Sequence, residues 1–285
     1  MEHSRSFLSS AVQRFFARRL VVLGVVLVVV LLFIGVFGRL FAPYNPVTQD
    51  LIGVLAPPTA KHWLGTDELG RDILSRLLWG ATTSLQVGIG SVLLAAVPGV
   101  LVGITVAYRA GWLDYVVMRV LDGLMALPSL ILALTIVAVL GPNLFNVILA
   151  ISVTSFPHYA RLVRGQVLAA REYDYVLAIK SVGAGDGRIM FRHLLPNVIS
   201  PVLVQASLGV GFAIVAEAGL SFLGVGVQPP TPTWGTMIQV GFQYLETAPW
   251  LVMAPGTLIF MAVLGFNLLG DGLREALDPH LTKSR

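Results

Sequence analysis

The sequence predicts an all-α integral membrane protein, a bundle of six spanning helices, and three observations lead there. Of 285 residues, 56% are hydrophobic and 12% are charged, about half the roughly 25% charge of soluble domains. Mean hydropathy is +0.82, and apolar runs recur near the length of about 20 residues that crosses a bilayer. The Lys and Arg residues between those runs fall mostly on one side. The chain has no cysteine, which excludes disulfides, thiolate metal sites and a cysteine nucleophile.

The first span is 20–37, an unbroken apolar run behind Arg14, Arg18 and Arg19. A cleaved signal has a similar basic front, but its apolar core is only about 7–15 residues. The run therefore reads as an uncleaved helix, in a segment 20–41 that follows an N-terminal tail, 1–19. Residues 42–84 form the first outer segment. Its part 42–64 is rich in proline and polar residues, an ordered loop. Its part 66–80 (TDELGRDILSRLLWG) opens on a cap-like Thr-Asp-Glu and sets Ile73, Leu74, Leu77 and Leu78 at helical spacing. That pattern predicts an amphipathic helix on the outer surface.

Further spans follow at 85–107, 121–140, 143–156 (stopping before Pro157), 198–223 and 251–269. They make a core, 85–270, ahead of a C-terminal tail, 271–285. Pro98-Gly99 and Gly103 supply small residues for close helix approach. A second outer loop, 224–249, has neither Lys nor Arg. Six spans put both termini on one side. That side holds fifteen Lys and Arg; the other holds Arg39, Lys61, Arg71 and Arg76. The positive-inside rule makes the richer side cytoplasmic.

On that side lies a polar, basic island, 158–197, with six Lys and Arg between apolar runs. Two helices are legible in it. The first, about 172–182, sets Tyr175, Ile179 and Val182 on one face with Lys180 opposite. Glu172 and Asp174 stand at its start, where the helix dipole favours them. Gly183 falls where a left-handed C′ residue belongs. Asp186 can then cap a second helix, 187–195, stopped by Pro196. A short helix outside the membrane must bury its apolar face. A groove on a partner protein is one place, and a surface of anionic lipid headgroups is the other.

Single residues narrow the function. Glu217 lies inside the fifth span, where an ionisable group is costly and a candidate for the transport pathway. An interhelical hydrogen bond or a protonated carboxyl is the alternative. Asp122 is expected to pair with Arg119 or Arg109, and Asn267 and Asp271 to serve as interface or capping groups. The histidines at 3, 62, 158, 193 and 280 are scattered, without helical metal spacing. A P-loop needs GxxxxGK[ST], and none of Lys61, Lys180 and Lys283 fits; Lys180-Ser181 follows Ile179. No catalytic set can be assembled, so the chain does not read as an enzyme. The dispersed basic residues do not read as a nucleic-acid surface.

Gly183 and Leu195-Pro196 keep the spacing Glu-Ala-Ala, three residues, Gly, nine residues, Ile-x-Leu-Pro. Leu177-Ala178-Ile179 replaces Glu-Ala-Ala, and His193 replaces the Ile. The segment resembles the cytoplasmic EAA loop of ABC-importer permeases. The stretches 62–85 (HWLGTDELGRDILSRLLWGATTSL), 217–235 (EAGLSFLGVGVQPPTPTWG) and 270–279 (GDGLREALDP) resemble the C-type permease of dipeptide, oligopeptide and nickel importers. The likeness covers nearly the whole chain.

That resemblance implies the transmembrane fold of a type I ABC importer with a cytoplasmic coupling loop. It implies half of a translocation pathway for dipeptides, oligopeptides or a related small solute. Tyr173, Asp174, Tyr175, Leu177, Ala178, Ile179 and Gly183 would belong to the coupling helix, with Ala178 and Gly183 allowing close approach to an ATPase. Arg188 and Arg192 would reach acidic groups on that ATPase or remain in solvent or lipid. The implied partners are a homologous second permease, two ATP-binding cassette subunits, an extracytoplasmic binding protein and the lipid bilayer. ATP and Mg would be bound by the ATPases, with no cofactor in this chain. The location would be the bacterial inner membrane, multi-pass, both termini cytoplasmic. A self-contained secondary transporter or channel is the competing reading. It expects charge pairs along several spans, whereas only Glu217 stands clearly mid-span. A nickel cargo would find no ligand cluster.

Overall fold

Helix α1 (Arg19–Phe41) is apolar all round, so its packed face is set by small residues rather than by amphipathicity. Val21, Gly24, Val28, Leu31, Gly35 and Gly38 form a buried stripe. A Cβ on Gly24 would lie 2.5 Å from Leu268 Cβ, which explains the glycine. The stripe rests on the helices that open and close the bundle, α2 (Ile73–Arg109) and α9 (Trp250–Leu277). The other faces of α1 expose Leu, Val and Phe side chains, as a lipid-facing helix does.

This computed structural model describes residues 18–277, so most of the tail 1–19 and the tail end 278–285, with Lys283 and Arg285, lie outside the described residues. Among the described residues there is no strand, only an isolated bridge between Thr66 and Asp72.

Helix α2 corrects the expectation of a separate surface helix at 66–80. Residues 66–72 are loop, and Asp72 is the true N-cap: its Oδ2 accepts from the Ser75 N–H at 2.8 Å. From Ile73 the helix runs unbroken for 37 residues, about 55 Å at 1.5 Å rise. The predicted amphipathic pattern is the first turns of this helix, with Ile73 and Leu77 buried in the core.

The third apolar run is likewise not one helix. Helices α3 (Gly111–Met125) and α4 (Ser129–Leu140) meet at an 89° bend. Pro128 disfavours helical backbone at Leu127, so the chain breaks there. Helix α5 (Leu144–Ala170) reverses another expectation, because it passes through Pro157 without stopping. A proline removes one helical hydrogen bond, but the turns beyond are fixed by burial of Tyr159, Ala160, Val163 and Val167. Gly99 and Gly103 permit this. A Cβ on Gly99 would lie 2.6 Å from Tyr159 Cβ, and one on Gly103 would lie 2.5 Å from the Ala160 carbonyl. The α2–α5 contact is the most extensive in the bundle.

Helix α6 (Asp174–Ser181) is followed by α7 (Asp186–Phe222), in which Ile189–Leu194 is a π-helical stretch. Pro196 was expected to end a short helix. Instead it lies directly after the π stretch, inside the continuous helix, which runs on to Phe222. Helix α8 (Trp234–Phe242) lies in the loop before α9. By length and apolarity α1, α2, α7 and α9 can each cross a bilayer, and the α3–α4 pair can do so as one broken span.

Candidate functional site

Helix α6 and its flanks are built as the sequence predicted, with two corrections. Tyr173 is the extended N-cap residue, Asp174 lies in the first turn and Lys180 in the last, charges that complement the helix dipole. At the other end the Gly183 N–H donates to the Lys180 carbonyl (3.0 Å) and the Ala184 N–H to the Ile179 carbonyl (3.3 Å). These are the paired bonds of a Schellman turn. Gly183 has φ +79°, a backbone that L side chains resist. A Cβ there would meet nothing within 4 Å, so the demand for glycine is conformational and not steric.

Within the subunit the helix packs through Val176 and Ile179, while Tyr175 and Val182 of the predicted apolar face are exposed. Val182 is the C-cap residue, already turned off the helical register, and is 84% exposed. The Tyr175 hydroxyl accepts from the Asn197 amide at 3.0 Å. Tyr173 and Leu177 are 57% and 51% exposed, and Ala178, the next residue, is exposed too. The helix and its two cap residues thus turn three large apolar side chains outward.

Its base is fixed to the end of α2. An Arg171 guanidinium N–H donates to the Ala107 carbonyl (3.0 Å), and the Tyr108 hydroxyl donates to Asp186 (2.9 Å). Asp186 is thereby a tether; the N-cap of α7 is Gly185. Arg188 and Arg192 are exposed and form no ion pair among the described residues. Leu195 packs on the core and Pro196 is exposed.

Behind the loop, α3 is pinned to α5 by two ion pairs. Arg164 makes a two-pronged contact with Asp114 (2.6 Å each), and Arg161 bonds Asp122. Asp122 therefore pairs across helices, not with Arg119 or Arg109; Arg119 lies over the Tyr115 ring instead. Spacing carried a signal for this. Arg161 and Arg164 share a helix face, as do Asp114 and Asp122.

Glu217 is fully buried within the subunit, so it faces no open pathway there. Its Oε1 accepts from Ser221 (2.7 Å) and from Thr233 (2.8 Å). Thr233 in turn caps α8, accepting from the Thr236 N–H at 3.0 Å. Next to it, buried Trp234 donates its indole N–H to the Leu77 carbonyl (3.2 Å) and its backbone N–H to Ser84 (3.0 Å). Two distant stretches of sequence, 62–85 and 217–235, so meet in one buried cluster. Asn267 is half-buried and Asp271 exposed.

Residues 99–283 match the family model described as binding-protein-dependent transport system inner membrane component. Residues 6–58 match that of the N-terminal TM domain of oligopeptide transport permease C. A dipeptide transport system permease protein of Escherichia coli is 49% identical, over 91% of this chain and 89% of its own. A di/tripeptide transport system permease protein of Pseudomonas aeruginosa is 46% identical, over 90% and 87%. A glutathione transport system permease protein of Pectobacterium atrosepticum is 41% identical, over 94% and 90%.

Proposed function

The chain belongs to the family of binding-protein-dependent transport system inner membrane components, and on that premise we propose that it forms half of a translocation pathway for dipeptides or closely related small peptides. It is a multi-pass membrane permease of an ABC importer. The peptide cargo is inferred from the relatives whose names carry it. A homologous second permease supplies the other half, and an extracytoplasmic binding protein delivers the cargo. Two ATPase subunits hold ATP and Mg.

Helix α5 counts as a span in this reading. Its 27 residues reach about 40 Å, and it lies along α2. That gives six spans with both termini, and the loop 158–197, on the cytoplasmic side. The fifteen-to-four division of Lys and Arg supports this orientation.

One observation carries the docking assignment: Tyr173, Leu177 and Val182 stand exposed on a helix whose base is rigidly held. Apolar side chains presented this way mark an interaction site, and a short helix fits a groove. ATP-driven movement of the ATPases would push α6, and with it α5 and α7. The test is co-purification from mild detergent. Wild type should retain the ATPase subunits; Gly183→Pro, which cannot take φ +79°, and deletion of 172–183 should lose them while keeping the second permease. ATPases retained at wild-type ratio by both variants would end the assignment.

A further inference from the structure

A groove of about 480 Å³ runs between α1 and α2 on the outside of the bundle, a size within the roughly 300–1,000 Å³ of small-molecule sites. Its walls are apolar: Leu32 and Val36 from α1, Leu85, Ile89 and Leu93 from α2. Gly35 and Gly90 lower its floor. The α2 residues recur over three turns, so the groove is a furrow along the membrane normal rather than a round pocket. Only one charged residue lines it, Arg39.

Arg39 is placed as a headgroup ligand would be. It lies twenty residues after Arg19, about 30 Å along the helix, which is the thickness of the hydrocarbon core. The two arginines therefore mark opposite boundaries of the bilayer, with Arg39 at the end away from α6. Its guanidinium sits 4.7 Å from the centre of the Trp79 ring, a ring type enriched at membrane interfaces. It is exposed and makes no ion pair among the described residues. Below it, Gln86 presents an exposed carboxamide to the same furrow. An amide facing hydrocarbon alone is costly.

We propose that this furrow binds one anionic glycerophospholipid, its phosphate on Arg39, its ester region beside Gln86 and an acyl chain along Leu32, Leu85, Ile89 and Leu93. Charge complementarity selects the occupant. A guanidinium takes a phosphate with two parallel hydrogen bonds, and no carboxylate lines the furrow to oppose it. The site depends only on the chain lying in a bilayer and not on what it transports.

The test uses the complete importer in lipid discs carrying a photoactivatable acyl chain on either phosphatidylglycerol or phosphatidylcholine. Adducts are mapped by mass spectrometry. Labelling should concentrate on 32–39 and 82–93 and favour phosphatidylglycerol by about tenfold, the scale of one charge-assisted contact. Arg39→Leu should remove that preference. Val36→Trp should lower labelling by both lipids, with the ATPases still bound. Labelling that ignores the headgroup, or that survives Arg39→Leu unchanged, overturns the proposal. So does a photo-cross-linker at position 36 that captures the second permease in place of lipid.

Discussion

The cluster formed by 62–85 with 217–235, and the loop from Arg171 to Asn197 at the opposite end of the bundle, treat their side chains in opposite ways. In the cluster, Asp67, Arg71, Asp72 and Arg76 are all buried. Arg71 reaches Asp67 at 2.6 Å and Glu68 at 2.5 Å, and Asp72 holds His62 and the start of α2. Arg76 donates to the Pro46 carbonyl at 3.1 Å. In the loop most charges are exposed, and so are Tyr173, Leu177 and Val182, while Val176, Ile189 and Leu194 anchor it to the core. Both regions carry sequence shared with the permease branch, yet one holds the shape of this subunit and the other is left uncovered by it. Substitutions in the first should cost stability; substitutions in the second should cost association.

The strongest way to break that contrast is Trp234→Ala. Removing a buried Trp costs about 3–5 kcal/mol, and here it also removes the indole hydrogen bond to the Leu77 carbonyl. Thermal unfolding of the detergent-solubilised permease should show a large drop. Arg71→Ala comes next. It leaves Glu68 without its cation and Asp67 with Arg76 alone, 3.3 Å away, a change bounded by the about 3–5 kcal/mol of breaking a buried pair. An unfolding midpoint close to wild type would mean that the network does not hold the cluster together. Asp72→Ala removes an N-cap, about 1–2 kcal/mol, and Asp72→Asn should recover most of the loss.

The same contrast explains what the sequence disclosed. The apolar runs, the Schellman glycine at 183 and the exposed loop were legible because each is local: a length, a φ requirement, a run of polar residues. The errors were local signals overruled by packing. Pro157 and Pro196 read as stops, yet burial of Tyr159 and Val163, and the π stretch before Leu195, carry the helices through. Thr66-Asp67-Glu68 read as a helix start, yet Asp67 spends its carboxylate on Arg71 and on loop amides, leaving Asp72 to cap. The partner of Asp122 and the Thr233 partner of Glu217 lie on other elements, 39 and 16 residues away. Spacing shows which residues share a helix face, as Arg161 and Arg164 do, but not which element that face meets.

A smaller effect sharpens the buried side of the comparison. Burial, and after it the neighbouring Asp67 charge, push the Glu68 carboxyl above its ordinary 4.5. The folded state then holds this proton more tightly than the unfolded chain does. Its contribution to stability is complete below the ordinary value and is lost as pH rises through the folded one. Glu68→Gln keeps an acceptor for Arg71 without the charge. The fall in unfolding midpoint as pH rises above the ordinary 4.5 should be shallower in this variant than in wild type. An identical slope would remove Glu68 as its source.

On stability the smallest effect belongs to Leu177, and that is what makes it informative. Its side chain is half exposed and tied to nothing, so Leu177→Glu should shift unfolding within about 0.5 kcal/mol, like other surface changes. Association should respond differently. Covering a Leu side chain is worth about 1.5–3 kcal/mol, so losing it should weaken ATPase retention by roughly tenfold or more. Glutamate is also what the family pattern carries at this position. If Leu177→Glu retained the ATPases as well as wild type, position 177 would lie at the rim of the groove, leaving Tyr173 and Val182 as the anchors. Tyr173→Ala would then be the substitution that separates the loop from its partner without moving the unfolding midpoint.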